Sequence, residues 1–154
     1  MKYKLTYSML DVMMASPDKP MKDSSRIHQL TRMWGGLAGL EQDPEPTKED
    51  WIAVSDAINM METLIEMGFA EDEDNLIPEA VLAMKAAAAR YKNGTQIRLT
   101  GSGIQLIRGI LEDYAYLAEH LDERTMIHAH RKTEMRIQDI LAGRAKPETL
   151  KVTA

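Results

Sequence analysis

His128, His130 and Glu134, in the string HAHRKTE, are the first residues whose types invite chemistry. Imidazoles and a carboxylate close together suggest a metal site or a general base. The spacing argues otherwise. Residues two apart on a helix point about 160° away from each other, so His128 and His130 cannot hold one ion unless the helix unwinds. Metal-binding pairs on a helix sit three or four apart. His130 and Glu134 have that spacing and can share an ion or a hydrogen bond. Met126, Thr133 and Ile137 fall on the same face, which places His130 at the edge of a core. His128 falls with Lys132 and Asp139 on the polar side. A di-iron bundle needs Glu-x-x-His twice, and no histidine here has glutamate three positions before it.

Two other kinds of string could bear chemistry. RLTGSGIQLIRG brings Gly101 and Gly103 to the entry of a helix, where backbone N–H groups can cradle an anion. A dinucleotide fingerprint would put a third glycine at position 106, and that residue is Leu106. Helix-start geometry is the better reading. None of the serines at 8, 16, 24, 25, 55 and 102 lies in G-x-S-x-G or has a histidine suggestively near in sequence.

The elements that must position these residues are helical. Leu5, Met9, Val12 and Met13 suit a short helix within 5–15, although Tyr3, Leu5 and Tyr7 also alternate as a strand start would. SPDKPMKDSS reads as a loop. Ser24 or Ser25 is expected to cap the next helix, with Ile27, Leu30, Met33, Trp34 and Leu37 facing inward. Its adjacent Gly35 and Gly36 imply either close backbone approach or a kink.

Thr47 and Asp50 resemble a capping box for a helix over 48–67. Trp51, Val54, Ile58, Met61 and Ile65 form its stripe, which Ala57, Met60 and Leu64 widen enough for a central helix. Pro78 opens a helix over 78–92 whose stripe is Val81, Met84, Ala88 and Tyr91. TQIRLT is extended, with Ile97 and Leu99 on one side. Thr100 or Ser102 caps a helix over 103–121 with a steady apolar rhythm from Ile104 to Leu121. That rhythm fails beyond Leu121, so a break with Asp122 as cap starts a final helix over 123–142, ended by Gly143 and Pro147.

The chain as a whole fits this. It has 154 residues, 44% of them hydrophobic, with 12 Met and one Phe. That is enough for one helical domain over 1–154, with a loose tail from about 144. The expected fold is therefore all-α, an irregular bundle of five or six helices. No cysteine is present, which excludes thiolate chemistry and disulfides and fits a cytoplasmic setting. No apolar run reaches the roughly 18 residues of a membrane span, so no membrane partner is expected. MKYKLTYSML has neither the apolar stretch nor the cleavage site of a signal peptide.

Charge is concentrated. Residues 41–76 carry twelve acids against Lys48 alone, whereas 1–40 and 77–154 each carry a net of +3. The acidic run Glu71, Asp72, Glu73, Asp74 is the candidate contact surface for a protein partner. His128, Arg131, Lys132 and Arg136 make a second, basic one on the last helix. Pairing of the two between copies would give a homo-oligomer. Nucleic-acid binding by that basic row, as in a small transcriptional regulator, is the second reading. A net charge of −5 and the acidic block oppose it. An enzyme or metalloprotein built on His128, His130 and Glu134 ranks third; no cofactor is expected.

HQLTRMWGGLAGLE, together with the opening YKLTYSMLDVMMASPDKPM, resembles the small helical proteins of proteobacterial phages and prophages whose function is uncharacterised. The resemblance covers the first forty residues and carries no active-site motif. It implies a mobile-element setting and a cytoplasmic role in a bacterium. By exclusion of the chemistries above, the expected function is that of a non-enzymatic accessory factor that binds a host or phage protein.

Overall fold

The computed structural model describes residues 4–144. Its elements are α1 (Met9–Met14), α2 (Asp23–Gln42), α3 (Lys48–Glu66), α4 (Leu76–Lys92), α5 (Gly101–His120) and α6 (Glu123–Leu141). The all-α bundle is as expected. No strand occurs among the described residues, so the alternation around Tyr7 makes none; one isolated bridge joins Pro20 to Asp122. The tail expected to be loose lies outside the described residues beyond Arg144.

Central position falls to α3, which contacts α2, α4, α5 and α6. Trp51, Val54, Ile58, Met61 and Leu64 are buried as their spacing requires. The Thr47–Asp50 box forms: Asp50 N donates to Thr47 Oγ1 over 3.2 Å, and Thr47 N donates to Asp50 Oδ2 over 2.8 Å. The Trp51 indole N–H reaches the Met84 carbonyl of α4 over 2.9 Å in the buried interior.

The adjacent glycines of α2 are explained by a third. A Cβ on Gly35 would meet nothing, whereas one on Gly36 would lie 2.8 Å from the Asp50 carbonyl and 2.9 Å from Ala53 Cβ. Gly39 is tighter still, 2.5 Å from the Asp50 carboxyl carbon. Gly36 and Gly39 thus let α2 lie directly on the first turn of α3, where the capping box is built. Close approach is the reason for the glycines, and α2 runs unbroken through them.

Several helix starts differ from expectation, each for a local reason. Ser8 and Asp11 form a capping box that begins α1 at Met9, with Asp11 N donating to Ser8 Oγ over 3.1 Å. Neither Ser24 nor Ser25 caps α2; Lys22 occupies the cap without a side-chain bond, and Asp23 pairs with Arg26 at 2.7 Å in the first turn. Helix α4 starts before Pro78 because the Asp72 carboxylate accepts from Leu76 N and Ile77 N, at 2.7 and 3.0 Å. Pro78 is tolerated at the third position because an N–H there would have no partner within the helix. Thr100 is the cap residue of α5 but makes no side-chain bond. Asp122 caps α6 as the broken rhythm requires, accepting from Thr125 N over 2.8 Å.

The connector 93–100 lies along the end of α2 with Ile97 and Leu99 buried. Arg98 fixes it there by donating to the carbonyls of Glu41 and Asp43, which satisfies acceptors that a helix end leaves open. Arg108 of α5 closes the same corner on Glu41. Two expected core residues lie outside: Ile27 and Tyr91 are both exposed, and on α2 Leu40 is fully buried.

Candidate functional site

The segment 4–20 runs antiparallel along the outer side of α6 as a strap. Glu123 N donates to Lys19 O over 2.8 Å, and Arg124 N to Ser16 O over 3.0 Å. The Arg124 guanidinium donates to the carbonyls of Ala15 and Met13, at 3.2 and 3.1 Å. Val12, Ala15 and Ile127 then form a small buried cluster, with Tyr7 against it and apart from the main core. At the far end Thr6 N donates to Glu134 Oε2 over 2.8 Å and Thr6 Oγ1 to Oε1 over 2.5 Å.

Helix α1 is the centre of this strap and has two unlike faces. Val12 turns inward. Met9, Leu10, Met13 and Met14 turn outward and are 59, 64, 66 and 79% exposed. Positions i, i+1, i+4 and i+5 share one helix side. Four large apolar side chains are thus exposed together on one side of α1.

His130 sits where strap and bundle meet. Its ring is edge-on to Tyr7, with centroids 5.2 Å apart. Nδ1 lies 3.2 Å from Glu134 Oε1, at an angle that makes no hydrogen bond. The core-edge placement expected for His130 is therefore found, and His128 is exposed on the polar side. The two imidazoles do not converge. Among the described residues no group of three or more His, Asp or Glu is placed to hold a metal ion.

His130 also lines two adjoining cavities. One, of about 220 Å3, is bounded by His28, Arg32, Met33, Asp56, Met60 and Tyr114, among others. The second, of about 210 Å3, lies under Thr6 and includes Asp56, Met60, Thr133 and Glu134. Arg32 of α2 and Asp56 of α3, both half-exposed, pair at 2.9 Å and both line the first. Burial raises the Asp56 carboxyl above its ordinary value, and the Arg32 hydrogen bond and charge only partly oppose this. Burial, helped by the Asp56 charge, pushes the Tyr114 phenol up to about 12. Tyr7 is raised too, first by burial and then by Glu123, Glu134 and Asp11.

The surfaces expected from charge are partly committed elsewhere. Asp72 holds the start of α4, while Glu71, Glu73 and Asp74 are exposed beside it. On α6, Arg136 is paired with Glu66 of α3. Arg131 Nη1 lies 2.7 Å from the Met135 sulfur, and Lys132 is half-buried. Of the row, Arg136 is thus tied to another helix, while Arg131 contacts its own helix and His128 is exposed. The acidic turn has other neighbours, bordering Met61 and Ile65 of α3 and Ile110 and Asp113 of α5.

Sequence reasoning missed the α1 face and the Arg32–Asp56 cavity. The first was detectable: Met9, Leu10, Met13 and Met14 occupy more of a short helix than one buried stripe can use. The second joins residues of four helices and has no local signature. No family model matches the chain, and no curated protein or solved structure matches it either. No described helix is long and apolar enough to cross a membrane.

Proposed function

We propose that the chain is a non-enzymatic helical interaction protein, a cytoplasmic phage or prophage accessory factor that docks on a host or phage protein through α1. The outward face of Met9, Leu10, Met13 and Met14 carries this reading. Methionine suits it, because a flexible, polarisable side chain adapts to a groove that a branched one would not fit. The strap that carries the patch, residues 4–20, is neutral, with Lys4 and Lys19 against Asp11 and Asp18, so the occupant is a protein with an apolar groove rather than a charged surface. The phage setting rests on the resemblance of the first forty residues, which include this strap.

The test compares the wild-type chain with a Leu10→Lys/Met13→Lys variant. Both side chains are exposed, so the variant is expected to fold with unchanged stability, within about 0.5 kcal/mol. A partner captured from a bacterial lysate, then purified and titrated, is expected to lose at least about tenfold in affinity for the variant. Equal affinity for both chains overturns the assignment to α1. Sedimentation of the chain alone distinguishes a second copy: a dimer abolished by the variant would make the chain its own partner.

The small transcriptional regulator gains no specific support from this geometry. Arg136, one cation of the basic row on α6, is paired with Glu66 of α3.

A further inference from the structure

The paired cavities at His130 belong to no part of the docking reading. Their chemistry is specific. Arg32 and Asp56 stand side by side at 2.9 Å, one offering N–H donors and the other carboxylate acceptors to the same space. Their formal charges cancel, and the other polar lining groups are His28, Gln29 and His130, so no carboxylate or guanidinium is left over to call for a charged guest. The same space is lined by the apolar Met33, Ala53, Ala57 and Met60 and by Tyr114. Thioether and aryl surfaces accept the face of a flat ring. A cavity of about 220 Å3 exceeds the roughly 150 Å3 in which a buried benzene is held. One six-membered ring with a substituent fits.

Burial of Asp56 adds a second argument. Arg32 offsets only part of the effect of burial on this carboxyl, so a guest that donates to Asp56 adds a second partner beside the one that Arg32 supplies. The adjoining cavity shares Asp56, Met60 and His130 and ends on Glu134 beneath Thr6. A polar substituent on the ring therefore has a second carboxylate to meet.

We propose that this cleft binds a neutral planar ring with a donor and an acceptor adjacent on one edge, the chemistry of a pyrimidine base or a pyridine carboxamide. The donor meets Asp56, the acceptor meets Arg32, and the ring lies against the lining methionines and Tyr114. This is a binding site with no reaction step attached, and it stands independently of what docks on α1.

The test uses cytosine, nicotinamide, benzoate and toluene as probes of the full chain, by ligand-observed NMR followed by titration. Cytosine or nicotinamide is expected to bind at millimolar concentration. Benzoate, which brings a charge, and toluene, which lacks the edge, are each expected to bind at least about tenfold more weakly. Asp56→Ala and Arg32→Ala change half-exposed residues, and circular dichroism melts verify that both variants fold. Each is expected to weaken the favoured probe by about tenfold, whereas Leu82→Lys, at an exposed position of α4, leaves it unchanged. Binding by neither cytosine nor nicotinamide overturns the proposal. So does equal binding of toluene, or binding that survives both alanine variants.

Discussion

Val12 and Leu64 are both buried aliphatic residues, yet their surroundings differ in kind. Leu64 lies on α3 in a continuous core to which α2, α3, α4, α5 and α6 all contribute. Val12 has Ala15, Ile127 and the partly buried Tyr7. The core holds by mutual burial across many helices. The strap holds by one small cluster and a row of discrete polar bonds to α6. A segment attached in this way can open locally while the bundle stays folded. The docking role proposed for α1 would use that separation, because local opening does not draw on the stability of the whole.

The largest test of this contrast is a matched pair. Leu64→Ala empties a fully buried site and is expected to lower the global unfolding free energy by about 2–5 kcal/mol in urea denaturation. Val12→Ala should instead accelerate amide exchange over 9–15 and leave the urea midpoint close to wild type. An equal midpoint loss in both would show that strap and core form one cooperative unit.

The next effect belongs to the α2–α3 contact. Gly39→Ala would place a methyl 2.5 Å from the Asp50 carboxyl carbon. Either the helices separate or Asp50 leaves its cap, and overpacking of this kind costs about 1–3 kcal/mol. Gly35→Ala, with nothing within 4 Å, is expected to be neutral or to stabilise by a few tenths to about 1 kcal/mol. Thermal melts of the two variants should move in opposite directions or differ clearly in size. Similar losses would remove close approach as the reason for the glycine pattern.

These cases mark how far the sequence could be read. The stripes of α3 and α5, the Thr47 box and the break at Asp122 were legible because each is set within a few residues by periodicity or a capping bond. The position of His130 at the core edge was legible for the same reason. The role of Gly39 was not, since it depends on Asp50 of another helix. Nor was the exposure of Ile27, which has the correct spacing but precedes Met33, where the buried residues of α2 begin. The Arg32–Asp56 cleft needs residues 24 positions apart, and the strap needs Thr6 beside Glu134, 128 positions away. Pairings of that range come from topology, which local pattern does not encode.

Adjacent residues of α6 allow the contrast to be narrowed to a single turn. Thr133 faces the core, with its hydroxyl 2.6 Å from that of Thr63. Each hydroxyl also reaches a carbonyl of its own helix. Each has one hydrogen, so one donates to its own helix while the other donates across the α3–α6 seam. Thr133→Val removes the cross-helix bond at nearly constant volume and is expected to cost about 1 kcal/mol. Glu134 faces the strap. Glu134→Ala is expected to change global stability by less than about 0.5 kcal/mol while exposing the Thr6 amide to exchange. The reverse ranking would place the strap, rather than the seam, in the cooperative core.

The smallest effect is a pH dependence, and its sign is informative. Asp56 has a raised pKa in the fold, relative to its ordinary value of 3.8, chiefly through burial. Between these two values the folded chain retains a proton that the unfolded chain has released. Stability from this group therefore falls as pH rises through that window, and the penalty is constant above it. Arg32 offsets part of it but is itself half-exposed, which limits what the pair returns. Asp56→Asn should remove this slope from urea midpoints measured from below 3.8 towards neutrality, with no loss of midpoint at neutral pH. A large destabilisation at neutral pH would instead make the Arg32–Asp56 pair a structural clamp between α2 and α3. An unchanged slope would assign the dependence to other carboxylates. Loss of the slope with the midpoint retained would mean that the bundle bears the cost of an ionised carboxylate it does not need for folding, in a cleft where a donor from a guest could relieve it.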